Sequence, residues 1–182
     1  TPTITPTVTI TPTQTPTPTP TPTQASANFG GILVPNNNGG FTIYDSTGTV
    51  LRTLNVAGSV PRWSPDGSKI AFNGGNSIKV VNADGTGEYT VVSSGTNSIE
   101  SIGSWGSTLD WSPDGNQITF NADQRLWKVN IDGSNVTKLT DSYPWAIDPR
   151  WAPDNSAIYF VNSTCPDSPC TQGIYSISPN GG

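Results

Sequence analysis

Three stretches of sequence decide the fold: WSPDGSKIAF at 63–72, WSPDGNQITF at 111–120 and WAPDNSAIYF at 151–160. They align without gaps on the pattern W-x-P-D-[G/N]-x-x-I-x-F, and their starts are 48 and 40 residues apart. Proline sets φ for the first central position of a tight turn, and aspartate hydrogen-bonds to nearby backbone. Gly67, Gly115 and Asn155 fill the slot that needs positive φ. Each copy therefore predicts a strand ending at tryptophan, a tight turn and a second strand.

Each copy is followed by a segment of alternating apolar and polar residues that ends in a turn: NSIKVVNADG, QRLWKVNIDG and GIYSISPNGG. TGEYTVVSS and SNVTKLTDS come after the first two segments and predict short outer strands. Upstream, ILV, FTIYDSTG and VLRTL fit the same frame without the tryptophan strand. We therefore expect four units, at about 31–55, 60–92, 108–140 and 148–182. The first lacks its opening strand and the last lacks its closing strand.

Helical periodicity is absent, so the chain from 31 to 182 is expected to be all-β. Repeated four-stranded units of about 40 residues are typical of the blades of a β-propeller. The repeat resembles that of TolB-like propellers, over roughly residues 31–182. The resemblance implies radially arranged sheets, with the Pro-Arg-Trp and Leu-Asp-Trp segments towards the axis and Leu54, Val91 and Leu139 near the rim. Members of that family usually have six or more blades, and about four are visible here.

The overall composition narrows the class of partner. The 182 residues carry 13 acidic and 8 basic side chains, a net charge of −5, so nucleic acid is not expected as a partner. No run approaches 18 apolar residues, so no membrane span is expected. The chain has neither an initiating methionine nor a signal peptide, which favours a processed product or a piece of a longer chain.

The sequence offers little catalytic chemistry. It contains no histidine, the usual general base and the commonest metal ligand. The aspartates of the repeat occupy turn positions, which favours hairpin formation over catalysis: Asp66, Asp84, Asp114, Asp132 and Asp154. Nucleophile, phosphate-loop and zinc-protease motifs are also absent. We therefore expect no enzyme activity, no catalytic residue, no metal site and no cofactor.

Several features favour an extracellular or cell-surface location. Cys165 and Cys170, in CPDSPC, are predicted to form a disulfide at a hairpin tip, which requires an oxidising compartment. Asn135 and Asn162 each begin an Asn-x-Thr triplet, which makes them candidate N-glycosylation sites.

Residues 1–24 form a separate segment, TPTITPTVTITPTQTPTPTPTPTQ, joined by a linker at 25–30. The composition is that of an O-glycosylated stalk, which as polyproline II reaches roughly 75 Å. Threonine occupies every odd position, and these twelve residues are the predicted O-glycosylation sites: Thr1, Thr3, Thr5, Thr7, Thr9, Thr11, Thr13, Thr15, Thr17, Thr19, Thr21 and Thr23.

The strict alternation of this segment suggests more than a spacer. In an extended chain it places all threonines on one face and Ile4, Val8 and Ile10 on the other. A face docked on protein and a face carrying sugars would use that register. Seven prolines exclude full pairing inside a central strand but not docking along an edge. Slippage of a short codon repeat explains residues 15–23 without any function, and it explains TITPTVTI less well.

The six tryptophans divide into two groups. The three at the start of the repeats are predicted to be core wedges between blades, and Trp127 is predicted to pack at a strand position shared with Val80 and Tyr175. Trp105 and Trp145 lie in connections between blades and are candidate binding residues for a sugar or a protein neighbour.

Together these features predict a non-catalytic extracellular structural protein, a subunit of a glycosylated filament. Copies of the chain would assemble head to tail, each N-terminal segment lying on the next subunit. The alternative is a monomeric surface propeller that binds glycan or protein, with the N-terminal segment as a glycosylated spacer. An accessory domain of a truncated enzyme ranks third.

Overall fold

The structure is a computed structural model that describes residues 31–102, 108–141, 145–164 and 171–181. The N-terminal segment with its threonines and docking residues, the linker, Trp105 and both cysteines lie outside the described residues. Within them the chain forms fourteen β-strands and no helix. The all-β prediction is confirmed.

The strands form four antiparallel sheets in chain order, which we call blades 1 to 4. Blade 1 comprises β1 (Ile32–Pro35), β2 (Phe41–Tyr44) and β3 (Val50–Leu54). Blade 2 comprises β4 (Ser59–Trp63), β5 (Lys69–Asn73), β6 (Ser77–Asn82) and β7 (Tyr89–Ser93). Blade 3 comprises β8 (Leu109–Trp111), β9 (Gln117–Ala122), β10 (Arg125–Asn130) and β11 (Thr137–Lys138). Blade 4 comprises β12 (Ala146–Trp151), β13 (Ile158–Thr164) and β14 (Thr171–Ile177).

Neighbouring blades pack side by side in chain order. β8 contacts both β4 and β12, and β4 contacts β1 of the preceding blade. The Pro-Arg-Trp and Leu-Asp-Trp segments therefore lie on the inner strands, as the propeller resemblance implies. Blades 2 and 3 have four strands, whereas blades 1 and 4 have three among the described residues.

The repeated turns fold as their sequence dictates. Gly67, Gly115 and Asn155 adopt φ of 70°, 72° and 62°. In the first repeat, Asp66 Oδ1 accepts hydrogen bonds from the hydroxyl of Ser64 (2.6 Å) and the backbone N–H of Ser68 (3.0 Å). These bonds hold the pKa of the Asp66 carboxyl below its ordinary value, and the bond from Ser64 has the largest effect. The turn aspartates thus act by fixing hairpins.

The apolar core lies between blades. The Ile and Phe of each I-x-F stretch point towards the preceding blade and are almost fully buried: Ile70, Phe72, Ile118, Phe120, Ile158 and Phe160. Between blades 1 and 2 the rings of Phe41 and Phe72 meet edge-on, with centroids 5.4 Å apart. Each blade therefore supplies one face to each neighbour, and the described blades share three interfaces.

The repeat tryptophans bridge neighbouring blades. The indole N–H of Trp63 donates to the carbonyl of Gly31 in blade 1, and that of Trp111 to the carbonyl of Arg62 in blade 2, both at 3.1 Å. Trp151 packs against the interface of blades 3 and 4. Each of these side chains thus contributes to the contact between its blade and the one before it.

Trp127 is buried in the core between blades 2 and 3, as predicted. Its equivalent in blade 2 is Lys79 rather than Val80, because Phe72 pairs with Lys79 as Phe120 pairs with Trp127. Lys79 and Trp127 each lie seven residues after the repeat phenylalanine, so the ungapped alignment of NSIKVVNADG with QRLWKVNIDG already pairs them, and the equivalence of Val80 was wrong by one position.

The exposure of one equivalent strand position in blades 2, 3 and 4 shows the effect of the following blade. Ile78, Leu126 and Ile174 each pair with the residue that follows the repeat phenylalanine of their own blade. Ile78 and Leu126 are 0% exposed because blades 3 and 4 lie against them, whereas Ile174 is 81% exposed. The same position is therefore interior in blades 2 and 3 and surface in blade 4.

We expect Asp66→Ala to lower the free energy of unfolding by about 1 kcal/mol at pH 7, since it removes the acceptor of the turn. A carboxyl whose pKa is lowered in the folded state stabilises above its unfolded pKa, about 3.9 for Asp, and that stabilisation is lost as pH falls through the folded pKa. The difference between wild type and Asp66→Ala in urea unfolding should therefore shrink below about pH 4. Asp66→Asn, which cannot titrate, is the control. A difference that stays constant down to pH 2 contradicts the assignment.

We expect Leu126→Ala to lower the stability of the monomer much more than Ile174→Ala does. The first opens a cavity between blades 3 and 4 and should cost about 2–5 kcal/mol. The second trims an exposed side chain and should change the free energy of unfolding by about 0.5 kcal/mol or less. Urea unfolding at low protein concentration measures both changes. Equal losses of unfolding free energy in the two variants would show that another surface already covers Ile174.

Candidate functional site

Blade 4 presents an exposed apolar surface formed by Tyr159, Val161 and Ile174, which we call the blade-4 end face. Val161 pairs with Ile174 across β13 and β14, so their side chains share one side of the sheet. Tyr159 is 47% exposed, whereas its repeat equivalents Ala71 and Thr119 are 0% exposed. The end face is thus equivalent to the faces of blades 2 and 3 that contact the following blade, but it is exposed to solvent.

Blade 1 presents a second exposed apolar surface, on the opposite side of the stack. Ile32, Val34 and Val50 form this blade-1 end face and are all exposed. Leu33, on the other side of β1, packs into the core shared with blade 2. The two end faces differ in composition and strand identity, so they are not two copies of the same patch.

Each end face adjoins an unpaired strand edge. Among the described residues, β14 pairs with β13 alone and β1 pairs with β2 alone. Within the described part of the chain, blade 4 has no counterpart of the outer strand of blades 2 and 3, and blade 1 has no counterpart of their inner strand. An unpaired edge presents backbone donors and acceptors that can pair with an extended chain.

The inner strands carry charged residues immediately before the repeat tryptophans: Arg62, Asp110 and Arg150. Burial raises the pKa of Asp110, while the backbone N–H of Trp151, which donates to its Oδ2 at 2.9 Å, and the two arginines act in the opposite direction. Burial and then the charge of Arg150 lower the pKa of Arg62. Because the Asp110 carboxylate accepts a bond from blade 4, we assign it to the joining of blades 3 and 4.

Two inner strands bulge in the same way, a feature that the sequence analysis missed. Val60 and Asp148, each before a Pro-Arg-Trp segment, have φ of 51° and 52°. In both strands the register shifts at this point. The shared x-Pro-Arg-Trp sequence was the available signal, since proline cannot donate to a ladder and favours a bulge.

The structure separates the two candidate N-glycosylation sites. Asn135 is exposed, with φ of 54°. Asn162 is 3% exposed, and its Oδ1 accepts a hydrogen bond from the backbone N–H of Trp145 at 3.3 Å. A glycan on Asn162 requires that side chain to leave its place.

Trp145, the described candidate binding residue, is 41% exposed. It borders a groove of about 400 Å³ together with Asp123 and Arg125. No group of three or more His, Cys, Asp or Glu side chains in the described part of the chain is placed to hold a metal ion. The same residues include no helix that is long and apolar enough to cross a membrane.

Comparison with known proteins identifies related folds. The family model "Dipeptidyl peptidase IV (DPP IV) N-terminal region" matches residues 74–147. No curated protein sequence matches the chain.

Several solved structures are similar over most of the chain. TolB from Acinetobacter baumannii has a TM-score of 0.59 and 21% identity, covering 79% of this chain and 36% of that one. The tricorn protease has a TM-score of 0.58 and 15% identity, covering 81% of this chain and 15% of that one. A chain of a nidogen/laminin complex has a TM-score of 0.55 and 12% identity, covering 84% and 62%.

The chain thus spans 36% of the TolB structure, and at these identities the likeness concerns the fold. The repeat sequence, the four stacked sheets and the structural neighbours agree: the chain has a β-propeller fold similar to that of TolB.

Proposed function

We propose that the chain is a non-catalytic extracellular structural protein, a subunit of a glycosylated filament held together by docking of the N-terminal segment onto a neighbouring subunit. The observation that carries the proposal is the blade-4 end face. Its Ile174 is 81% exposed at a position that is completely buried in blades 2 and 3. Burial of one such side chain contributes about 1.5–3 kcal/mol towards association at this face.

The proposed occupant of the β14 edge is residues 7–11 of another copy, TVTIT. This stretch lies between Pro6 and Pro12 and contains no proline, so every residue in it keeps its backbone N–H. The outer strands β3 and β7 each have five residues, the same length as this stretch. Pairing would supply blade 4 with the outer strand that blade 2 makes from its own chain.

The alternation of side chains supports the same arrangement. In an extended strand Val8 and Ile10 point to one side and the flanking threonines to the other. In a strand paired with β14, the apolar pair extends the blade-4 end face, and the threonines lie on the other side of the sheet. Ile4 extends the apolar side beyond Pro6.

Because the two end faces differ, a contact between the blade-4 end face of one copy and the blade-1 end face of the next is heterologous. A neighbour that stacks its blade-1 end face on the blade-4 end face repeats the packing that joins blades within the chain. Contacts between unlike surfaces give rings when the rotation closes and open filaments when it does not. Additional blades of a longer chain are the competing occupant of the same face.

We propose that the chain is not a catalyst because its acidic side chains already have structural roles. The turn aspartates are engaged in hairpin hydrogen bonds, and Asp110 joins two blades. The extracellular location is proposed from the threonine-rich segment, the two cysteines of the CPDSPC sequence and the exposed Asn135.

Negative-stain microscopy of the 182-residue chain tests the assembly. Wild type should form regular fibres, and both Val8→Asp/Ile10→Asp and Ile174→Asp should abolish them, because each places charge in the proposed contact. The matched controls are Gln14→Asp/Gln24→Asp, which adds two charges elsewhere in the segment, and Tyr89→Asp, which adds one on the outer strand of blade 2.

Both control variants should form fibres like those of wild type. A wild-type chain that remains monomeric at high concentration contradicts filament assembly. Fibres of unchanged geometry from Val8→Asp/Ile10→Asp contradict docking of the N-terminal segment, even if assembly itself is real.

We expect the threonines of residues 1–24 to carry O-glycans in protein isolated from its natural source, and Asn135 to be modified in preference to buried Asn162. Intact-mass and peptide mass spectrometry before and after glycan release measure both. Unmodified threonine throughout the segment, or occupancy of Asn162 equal to that of Asn135, would overturn the corresponding statement.

A further inference from the structure

A groove of about 400 Å³ lies where three parts of the chain meet. They are the connection that leads into blade 3, the β9–β10 hairpin and the residues that open blade 4. The polar side chains of the groove come from the first two parts, and Trp145 comes from the third. Its principal lining residues are Glu100, Asn121, Asp123, Gln124, Arg125 and Trp145.

The hairpin wall of the groove is held in a fixed conformation. Asp123 and Gln124, at the tip of the β9–β10 hairpin, have φ of 50° and 61°, which is uncommon for residues other than glycine. The Asp123 carboxylate accepts the backbone N–H of Glu100 at 2.8 Å and that of Ser101 at 2.7 Å. These bonds join the hairpin to the connection before blade 3 and fix two sides of the groove.

The backbone at Trp145 is also fixed. Its N–H donates to Asn162 Oδ1 at 3.3 Å, and its carbonyl accepts the N–H of Ser163 at 3.4 Å. The next residue, Ala146, donates its N–H to the carbonyl of Gln124 at 3.2 Å. The indole ring is thus presented to solvent from a backbone that is hydrogen-bonded to both neighbouring hairpins. Binding a ligand therefore costs little backbone conformational entropy at this residue.

A second hollow, of about 540 Å³, adjoins the first and shares Glu100, Asp123 and Arg125 with it. It adds Trp127 and Lys138 on the outer side of blade 3. The shared residues make the two hollows one continuous surface. A ligand longer than a single ring can therefore extend from Trp145 across the hairpin.

We propose that this groove binds a neutral carbohydrate chain. The face of an indole ring packs against the apolar C–H face of a pyranose, and carboxylate, amide and guanidinium groups bond to its hydroxyls. Glu100 and Asp123 together with Arg125 supply both acceptors and donors, without the excess of positive charge that an anionic ligand requires. The volume lies within the range typical of small-molecule sites. This inference does not rest on the proposed filament.

Titration calorimetry with neutral oligosaccharides tests the groove directly. The probes are gluco-, manno- and N-acetylglucosamine oligomers of two to four units, and the protein is the full chain produced without its own glycans. Wild type should bind at least one of these series. Trp145→Ala should weaken that binding roughly tenfold or more, and Trp145→Phe should retain part of it because a smaller ring still packs.

Two further variants separate binding from folding. Glu100→Gln removes charge from an exposed groove residue and should weaken binding without changing the unfolding midpoint. Tyr89→Ala removes an exposed aromatic ring from the outer strand of blade 2 and should leave binding unchanged. No binding of any series by wild type overturns the proposal, as does equal binding by wild type and Trp145→Ala. Saturable binding of peptides in place of saccharides also overturns it.

Discussion

Packing between blades is the constraint on which the structure depends. A sheet of three or four short strands has two faces, and a propeller must bury both by placing a blade on each side. Here the I-x-F stretch of each repeat fills one face, with Phe72, Phe120 and Phe160 almost completely buried against the preceding blade. The tryptophan that opens the repeat adds a hydrogen bond to that blade at Trp63 and Trp111. Stability is therefore largely a property of neighbouring pairs of blades.

The same constraint explains the surfaces at the two ends. A stack with a first and a last blade has one uncovered face at each, and the repeat makes those faces chemically similar to buried ones. Ile174 is the plainest case, since its equivalents in blades 2 and 3 are interior. Among the described residues, blade 4 has neither an outer strand nor a second neighbouring blade. The proline-free stretch of the N-terminal segment has the length and alternation to supply the strand. The proposed filament continues between chains the packing that operates within one.

Local sequence predicted the fold well, because a propeller is built from nearest-neighbour hairpins. Proline, aspartate and glycine at fixed places specify the turn whatever surrounds it, and Asp66 and Gly67 behave as their residue types require. Features that depend on several segments were not predictable. The groove at Trp145 joins residues from three connections, and the burial of Asn162 depends on a neighbouring loop. The equivalence of Val80 was wrong by one position although the sequence was sufficient, since Lys79 and Trp127 each lie seven residues after the repeat phenylalanine.

Amide hydrogen exchange, measured on dispersed and on assembled protein, tests the central claim most directly. While the chain is dispersed, protection should be highest in β5, β6, β9 and β10, whose blades have a neighbour on each side, and lowest in β1 and β14. On assembly, β14 and residues 7–11 should gain protection together and β1 should follow. Protection of β14 equal to that of β10 in the dispersed chain, or unchanged exchange at β14 in the assembled state, would contradict the account.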